Sequence, residues 1–387
     1  MMRRSVALLG ATGSIGTQAL DVLRHEPDSF DVVAIAGGHR LDQLAAIARE
    51  FRVERIGIAD ETDRAALAEM VGPTVQIVVG AAGLDELARS ADIVVNAVVG
   101  FAGLPITMAA LEAGKRLALA NKESLIAAAP LVAKVRTTPG AEILPVDSEH
   151  CAIHQCLAGS TQPGHPDVRR LMLTASGGPF RGWSKDRLDA ATKDDALRHP
   201  TWRMGPKITI DSSTLMNKGL EVLEASALFA VEVERIAVVV HPQSIVHSMV
   251  EYVDGSVIAQ LSRPDMRLPI AYCLGMPERL DHSWGAIDFT QALELTFEAP
   301  DPVAFPALTL AYDAARRAGA APAWLSAANE VAVEACLADA LAWRDIVPTV
   351  AAVMEHYVDD PLHSLEDLAA NDATARRLAH GILQGKS

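Results

Sequence analysis

The sequence predicts an α/β chain with a Rossmann-like, doubly wound parallel sheet at its N-terminus, a central α+β domain and a C-terminal α-helical domain. Three observations carry this. Short apolar runs alternate with helical patterns over residues 1–147, as right-handed crossovers and a mostly parallel sheet require. After Asp147 the runs cluster as strands with a hairpin signal, and from Phe305 onward the composition is helical. A chain of 387 residues exceeds one ordinary core. The pattern divides it into an N-terminal domain at 1–147, a central domain at 148–275, a linker at 276–304 and a helical domain at 305–387.

The first apolar run, residues 5–9, ends in Gly10-Ala11-Thr12-Gly13-Ser14-Ile15-Gly16, and a helical pattern continues through Leu23. Further strands are expected at 31–36, 55–59, 75–79, 93–98, 116–120 and 142–145, with a helix at 41–51. The stretch 93–111 carries no charge and approaches membrane-spanning length. Asn96, Gly100, Gly103 and Pro105 interrupt it, so strand, turn and helix are expected instead. In the central region, strands are expected at 168–175, 236–240, 244–252 and 256–262. Asp254-Gly255 between the last two is a hairpin signal, and an antiparallel sheet follows. Prolines mark 276–302 as the linker, and 329–341 is the clearest amphipathic stretch beyond it.

Composition narrows the function. Hydrophobic residues make up 50% of the chain but aromatics only 4%, so the core is aliphatic. A formal net charge of -15 excludes a global electropositive field for nucleic acid. An anionic ligand would need a local cluster of donors. Cys151, Cys156, Cys273 and Cys336 contain no CxxC pair, so a reducing cytoplasm is expected rather than a disulfide or zinc framework. Residues 1–10 read as a first strand rather than a signal peptide, because the apolar run ends in glycines and not in a cleavage site.

The glycine run sits where a dinucleotide loop belongs, after the first strand and at the start of the first helix. Backbone N–H groups and the helix dipole favour a pyrophosphate there. The second strand ends in Gly37-Gly38-His39-Arg40, with no carboxylate before Asp42. NAD-specific loops place an acid at that point for the ribose 2′-hydroxyl, so NADP is favoured, with His39 or Arg40 meeting the 2′-phosphate.

Asp147-Ser148-Glu149 follows the strand at 142–145. In an extended segment the two carboxylates would face one point, and their hard oxygens suit magnesium or manganese. An acidic turn capping the next helix explains them equally well. Asp211-Ser212-Ser213-Thr214 reads as a helix start, before Asn217, Lys218 and Glu221 on one helical face. That face offers an amide, an ammonium and a carboxylate for phosphate and metal; an ordinary ion pair is the alternative. Ser176-Gly177-Gly178 is a candidate phosphate turn, and 198–206, with His199 and Trp202, a candidate lid.

These blocks resemble the deoxyxylulose phosphate reductoisomerase family. The resemblance rests on Gly-Ala-Thr-Gly-Ser-Ile-Gly at 10–16, Ala-Asn-Lys-Glu-Ser at 120–124 and Asp-Ser-Glu-His at 147–150. It continues through Thr-Ala-Ser-Gly-Gly-Pro-Phe at 174–180, His-Pro-Thr-Trp-Arg-Met-Gly at 199–205 and Asp-Ser-Ser-Thr-Leu-Met-Asn-Lys-Gly-Leu-Glu at 211–221. His-Pro-Gln-Ser-Ile-Val-His-Ser at 241–248 and Ala-Ala-Asn-Glu at 327–330 complete the family order.

The resemblance implies an NADPH-dependent enzyme using Mg2+ or Mn2+, with Co2+ a further option, and a homodimer, with 1–147 as the cofactor domain and 148–275 as the catalytic and dimerisation domain. It would rearrange and reduce 1-deoxy-D-xylulose 5-phosphate to 2-C-methyl-D-erythritol 4-phosphate. By the same resemblance Thr12, Gly13, Ser14, Ile15, Gly37, Gly38, His39, Asn121, Glu123 and Gly205 contact the cofactor. Asp147, Glu149 and Glu221 bind the metal, with Ser148 beside the substrate. Lys122 lies near the reacting end, and Ser176, Ser212, Asn217 and Lys218 hold the substrate, chiefly its phosphate. His199, Trp202 and Met204 belong to a loop that closes over it. Gly37-Gly38-His39-Arg40 departs from the family's usual pattern, leaving the 2′-phosphate contact open. Two other readings are a metal-independent NADP-linked dehydrogenase and a non-catalytic NADP sensor; neither needs three carboxylates.

Overall fold

A computed structural model describes residues 3–160, 164–202 and 204–385. The chain forms two compact units. One comprises Met1–Ser124, Val132–Cys151 and Asp265–Trp284; the other comprises Leu125–Leu131, Ala152–Pro264 and Gly285–Ser387. The segment 265–275, placed by the sequence division in the catalytic domain, thus packs with the first unit.

The first unit alternates strand and helix as expected. Its elements are β1 (Arg4–Leu9), α1 (Ser14–His25), β2 (Phe30–Gly37), α2 (Leu41–Phe51), β3 (Arg55–Ile58), α3 (Arg64–Val71), β4 (Gln76–Val79) and α4 (Gly80–Arg89). β5 (Ile93–Asn96), α5 (Leu104–Glu112), β6 (Arg116–Leu119) and β7 (Glu142–Pro145) follow, with the ends of α6 (Lys122–Val135) and the start of α7 (Ser148–Cys156), whose remaining residues belong to the other unit. The strands form one sheet in the order β4-β3-β2-β1-β5-β6-β7, every pairing parallel. β1 is central, and Val6, Ala7, Leu8 and Leu9 have no exposure, which explains why it reads as an unbroken apolar run. The strand order reverses between β1 and β5. Such a switch point opens a crevice at the carboxyl ends of the strands, where α/β sheets bind ligands. The uncharged stretch 93–111 resolves into β5, a short turn and α5, with Pro105 in the first turn of that helix. Among the described residues, no helix is long and apolar enough to cross a membrane.

The second unit contains β8 (Val168–Ala175), α8 (Lys185–Asp189), α9 (Lys193–Ala196), α10 (Pro206–Ser213), α11 (Met216–Phe229), β9 (Ile236–Val240), β10 (Val246–Tyr252) and β11 (Val257–Leu261). The chain then supplies α12 (Arg267–Gly275) to the first unit's core before returning for α13 (Ala307–Arg317), α14 (Ala321–Leu337), α15 (Ile346–Met354) and α16 (Leu365–Gln384). The sheet order is β11-β10-β8-β9. β10 pairs antiparallel with β11 and β8, but β8 and β9 are parallel, so the expected antiparallel sheet is mixed. The cause lies in the connection: helices intervene between β8 and β9, and a crossover of that length returns the chain in the same direction. The hairpin at Asp254-Gly255 forms as expected, with Gly255 at a φ of 88°. Segment 276–304 contains no helix or strand, but Glu298 bridges Val240 at the end of β9. The helical region shares its aliphatic core with α10 and α11 through Ile210, Leu220, Leu325 and Val350.

Candidate active site

In the first unit, β1 runs straight into the glycine loop. Gly10 and Ala11 donate their N–H groups to the Ala36 carbonyl at 2.9 and 2.8 Å, tying the loop to the end of β2. Gly10 has a φ of 95°, and a Cβ on it would lie 2.4 Å from the Ala97 carbonyl oxygen beyond β5. A Cβ at Gly16 would lie 2.2 Å from the Gly10 carbonyl oxygen. Neither position tolerates a side chain, so the loop is drawn tightly onto the switch point. Thr12 is buried, Ser14 is exposed, and Gly13 and Ile15 are intermediate. Gly13 caps α1 in an extended conformation, so the N–H groups of the first turn are open to an anion.

Gly37 closes β2, and Gly38 has nothing within 4 Å of a notional Cβ. The two candidates for the 2′-phosphate behave differently. Arg40 donates from its guanidinium to the Thr12 carbonyl and is thereby fixed to the glycine loop. His39 has a side chain 90% exposed and only a long 3.9 Å approach to Asp63.

Asn121 is buried and caps α6, accepting a hydrogen bond from the Ser124 N–H at 3.0 Å. Its amide donates to the Val98 and Gly100 carbonyls, each at 2.8 Å, and to Glu123 Oε2 at 2.9 Å. Asn121 therefore shapes the loop after β5 and orients Glu123. Lys122, the first residue of α6, donates from Nζ to Asp147 Oδ2. The other carboxylate oxygen, Oδ1, accepts the N–H groups of Glu149 at 3.0 Å and His150 at 3.1 Å. Asp147 is thus the N-cap of α7, and Glu149 sits in its first turn rather than in an extended segment. Of the two arrangements open for this segment, the structure has the capping turn: β7 ends at Pro145, and the chain turns into a helix. Ser148 donates its hydroxyl to Glu149 Oε2.

In the second unit, Asp211-Ser212-Ser213-Thr214 is not a helix start. It is the end of α10, and Leu215 reverses the chain with a φ of 60° before α11 begins at Met216. Local hydroxyl chemistry suits either end of a helix; the left-handed Leu215 is imposed by tertiary packing, its side chain being only 4% exposed. On α11, Asn217 donates to Glu221 Oε1 at 2.6 Å and the Lys218 ammonium contacts Glu221 Oε2. The Lys218 and Glu221 side chains are 4% and 1% exposed. A surface ion pair is therefore excluded, since burying both charges is costly unless they have work to do.

The turn after β8 lies against the end of α10. Gly178 has a φ of 67°, and a Cβ there would come within 2.6 Å of the Ser212 carbonyl oxygen. Ser176 Oγ accepts the Gly178 N–H at 3.2 Å and lies 3.0 Å from His199 Nε2. His199 Nδ1 accepts the N–H groups of Thr201 at 3.2 Å and Trp202 at 2.9 Å. Nδ1 is therefore unprotonated, and Nε2 carries the proton toward Ser176. Burial lowers the His199 pKa below its usual value, favouring this neutral form. Trp202 is half-buried with its ring 6.2 Å from that of His247. Gly205 caps α10; Arg203, between them, lies outside the described residues.

Sequence reasoning assigned nothing to Asp211, which is 1% exposed and accepts hydrogen bonds from Asn329 at 2.7 Å and Lys207 at 3.0 Å. A lone amide within the alanine-rich stretch 321–332 was the signal for it. His241, also without an assigned role, is a buried latch: Nδ1 lies 2.8 Å from the Thr296 carbonyl, and Nε2 accepts the Ile245 N–H at 3.1 Å.

Comparison with known proteins matches three stretches of the chain to one family. Residues 6–129 match the family model of 1-deoxy-D-xylulose 5-phosphate reductoisomerase, residues 143–229 that of its C-terminal domain, and residues 261–378 that of a DXP reductoisomerase C-terminal domain. Curated relatives named 1-deoxy-D-xylulose 5-phosphate reductoisomerase include one from Thermosynechococcus vestitus, 47% identical over 98% of this chain and 93% of its own. Another, from Anaeromyxobacter dehalogenans, is 49% identical over 97% of this chain and 96% of its own. Among solved structures, the reductoisomerase of Zymomonas mobilis in complex with NADPH superimposes with a TM-score of 0.92 at 43% identity, covering 99% of both chains. A reductoisomerase in complex with NADPH, fosmidomycin and magnesium gives 0.91 at 42% identity, covering 98% of both.

Proposed function

The chain belongs to the 1-deoxy-D-xylulose 5-phosphate reductoisomerase family, and we propose that its own residues perform that reaction with the following division of work. It converts 1-deoxy-D-xylulose 5-phosphate to 2-C-methyl-D-erythritol 4-phosphate with NADPH and a divalent metal. The observation that carries the reading is the buried Lys218 and Glu221 pair on α11, with the partly buried Asn217 bonded to the same carboxylate, beside a hydroxyl-bearing helix end in an acidic protein.

The residues fit both a dinucleotide and a divalent metal. The glycine loop bars side chains at Gly10 and Gly16, as close backbone approach to a pyrophosphate needs. Asp147, Glu149 and Glu221 offer only hard carboxylate oxygens, which suit Mg2+, and Mn2+ or Co2+ as substitutes. When bound, the metal supplies Lewis-acid polarisation of the substrate's ketone and adjacent hydroxyl, and NADPH supplies the hydride. Lys122 neutralises Asp147 and is oriented from the start of α6 toward the reacting end of the substrate. Ser176, Ser212, Asn217 and Lys218 grip the phosphate, so that a fragment formed during rearrangement does not escape. His199 holds the backbone of Thr201 and Trp202, and Trp202 covers the substrate and excludes water. Arg40, rather than His39, meets the 2′-phosphate, because its guanidinium is already fixed beside Thr12.

A homodimer and a cytoplasmic location complete the reading. The edge strand β11 leaves Val257 and Ile258 about half exposed, a surface that a second copy would cover. The four cysteines are buried and contain no CxxC pair, in keeping with a reducing compartment. The test is NADPH oxidation on adding 1-deoxy-D-xylulose 5-phosphate, with magnesium and after EDTA. Oxidation with magnesium alone is expected. Equal rates after EDTA would favour a metal-independent dehydrogenase, and none in either condition would leave only an NADP-binding protein.

A further inference from the structure

The last turn of α10 is held from both sides by the C-terminal helical region. Asn329, in the middle of α14 and without exposure, donates its amide to Asp211 Oδ1 at 2.7 Å. Trp343 donates its indole N–H to Ser213 Oγ at 2.7 Å. Ser213 is itself fully buried and passes its proton to the Ile210 carbonyl at 2.6 Å. Asp211 and Ser213 flank Ser212. Among the described residues, Ser212 makes no side-chain hydrogen bond of its own, and its carbonyl is the atom against which Gly178 packs.

Both ties are of a kind that fixes position rather than fills space. The Asn329 amide cannot be reversed without setting its oxygen against the Asp211 carboxylate. In the orientation present, Asn329 Oδ1 is buried with no hydrogen-bond partner among the described residues, so the side chain is held for its donor alone. Trp343 packs edge-on against Phe180, with ring centroids 4.6 Å apart, and Phe180 ends the same Ser176–Phe180 block that carries Gly178. Lys207, one turn before Asp211, balances the carboxylate charge, so the Asn329 bond adds direction where charge is already compensated.

We propose that Asn329 and Trp343 are positioning residues that set Ser212 for the substrate's phosphate, through Asp211 and Ser213. The C-terminal helical region thereby acts on substrate recognition without touching the substrate. The idea rests on the phosphate-binding reading of Ser212 given above, and the test separates the two.

Steady-state kinetics would be measured for Trp343→Phe, Asn329→Ala, Ser212→Ala and the double variant Ser212→Ala/Trp343→Phe, with KM for both substrates and Tm for each. Trp343→Phe keeps an aromatic ring against Phe180 and removes the indole donor, so it serves if Asn329→Ala folds poorly. Expected is a rise of roughly five- to tenfold in KM for 1-deoxy-D-xylulose 5-phosphate in each single variant, with KM for NADPH unchanged. The double variant should be no worse than Ser212→Ala alone, because the indole acts through Ser212. Additive losses, or a lower Tm with no change in KM, would reduce Trp343 and Asn329 to structural residues. If Ser212→Ala itself leaves KM unchanged, the phosphate reading fails and takes this inference with it.

Discussion

Gly178 and Ser212 approach so closely that a Cβ on the glycine would lie 2.6 Å from the serine carbonyl oxygen. This contact joins the turn after β8 to the end of α10, and so brings together two of the segments proposed to hold the phosphate. Gly178→Ala is expected to destabilise the protein by at least about 2 kcal/mol, combining left-handed backbone strain with displacement of α10. It should also raise KM for the phosphorylated substrate. Chemical denaturation and substrate titration would check both, and a fully stable variant with normal KM would show that the contact yields freely.

Asp147 has a capping role and a proposed metal role, and substitutions separate them. Asn caps a helix as well as Asp, whereas Ala loses about 1 kcal/mol. Asp147→Asn should therefore keep a near-normal Tm while turnover falls on the order of 100-fold or more. Asp147→Ala should lose both. Glu149→Gln should abolish turnover with NADPH affinity largely intact, as measured by fluorescence titration. Normal turnover in Glu149→Gln would remove that residue from the metal site.

His199 confers a pH dependence with a definite sign. Burial lowers its pKa, so the folded protein keeps the imidazole neutral where the unfolded chain takes up a proton below about pH 6.5. Its contribution to stability is complete above that pH and is lost as pH falls from there to the lower folded pKa. Protonation would also end the acceptance of the Thr201 and Trp202 N–H groups at Nδ1. KM for the sugar phosphate should therefore climb on the acid side, while His199→Asn, which retains an acceptor but does not titrate, should flatten that limb. An unchanged acid limb in the variant would assign it to another group.

Arg40 and His39 can be distinguished by coenzyme preference. Arg40→Ala is expected to raise KM for NADPH about 10- to 100-fold, the size of a lost charged hydrogen bond, with little effect on NADH. His39→Ala should change either value far less, because the ring is exposed. The reverse ranking would transfer the 2′-phosphate contact to His39.

Much of the fold was legible because burial imposes a period. The helix at 41–51 and the strands at 142–145, 168–175 and 236–240 match α2, β7, β8 and β9 at both ends. The errors fell where local chemistry is symmetric. A hydroxyl cluster serves either end of a helix, and packing around Leu215 made Asp211–Thr214 the end of one. Spacing alone left an ion pair and a ligand face equally open at Lys218 and Glu221, and burial resolved that choice.

By itself, the sequence determined the parallel cofactor-binding sheet, the glycine loop and the residue blocks that mark the family. Those features depend on local backbone geometry and on side-chain identity, which a linear string records. Tertiary structure alone decided that β8 and β9 run parallel, and that Asn329 and Trp343 reach Ser212's neighbours across more than a hundred residues of chain. A hydrogen bond between distant segments has no period and no spacing, so nothing in the order of residues announces it.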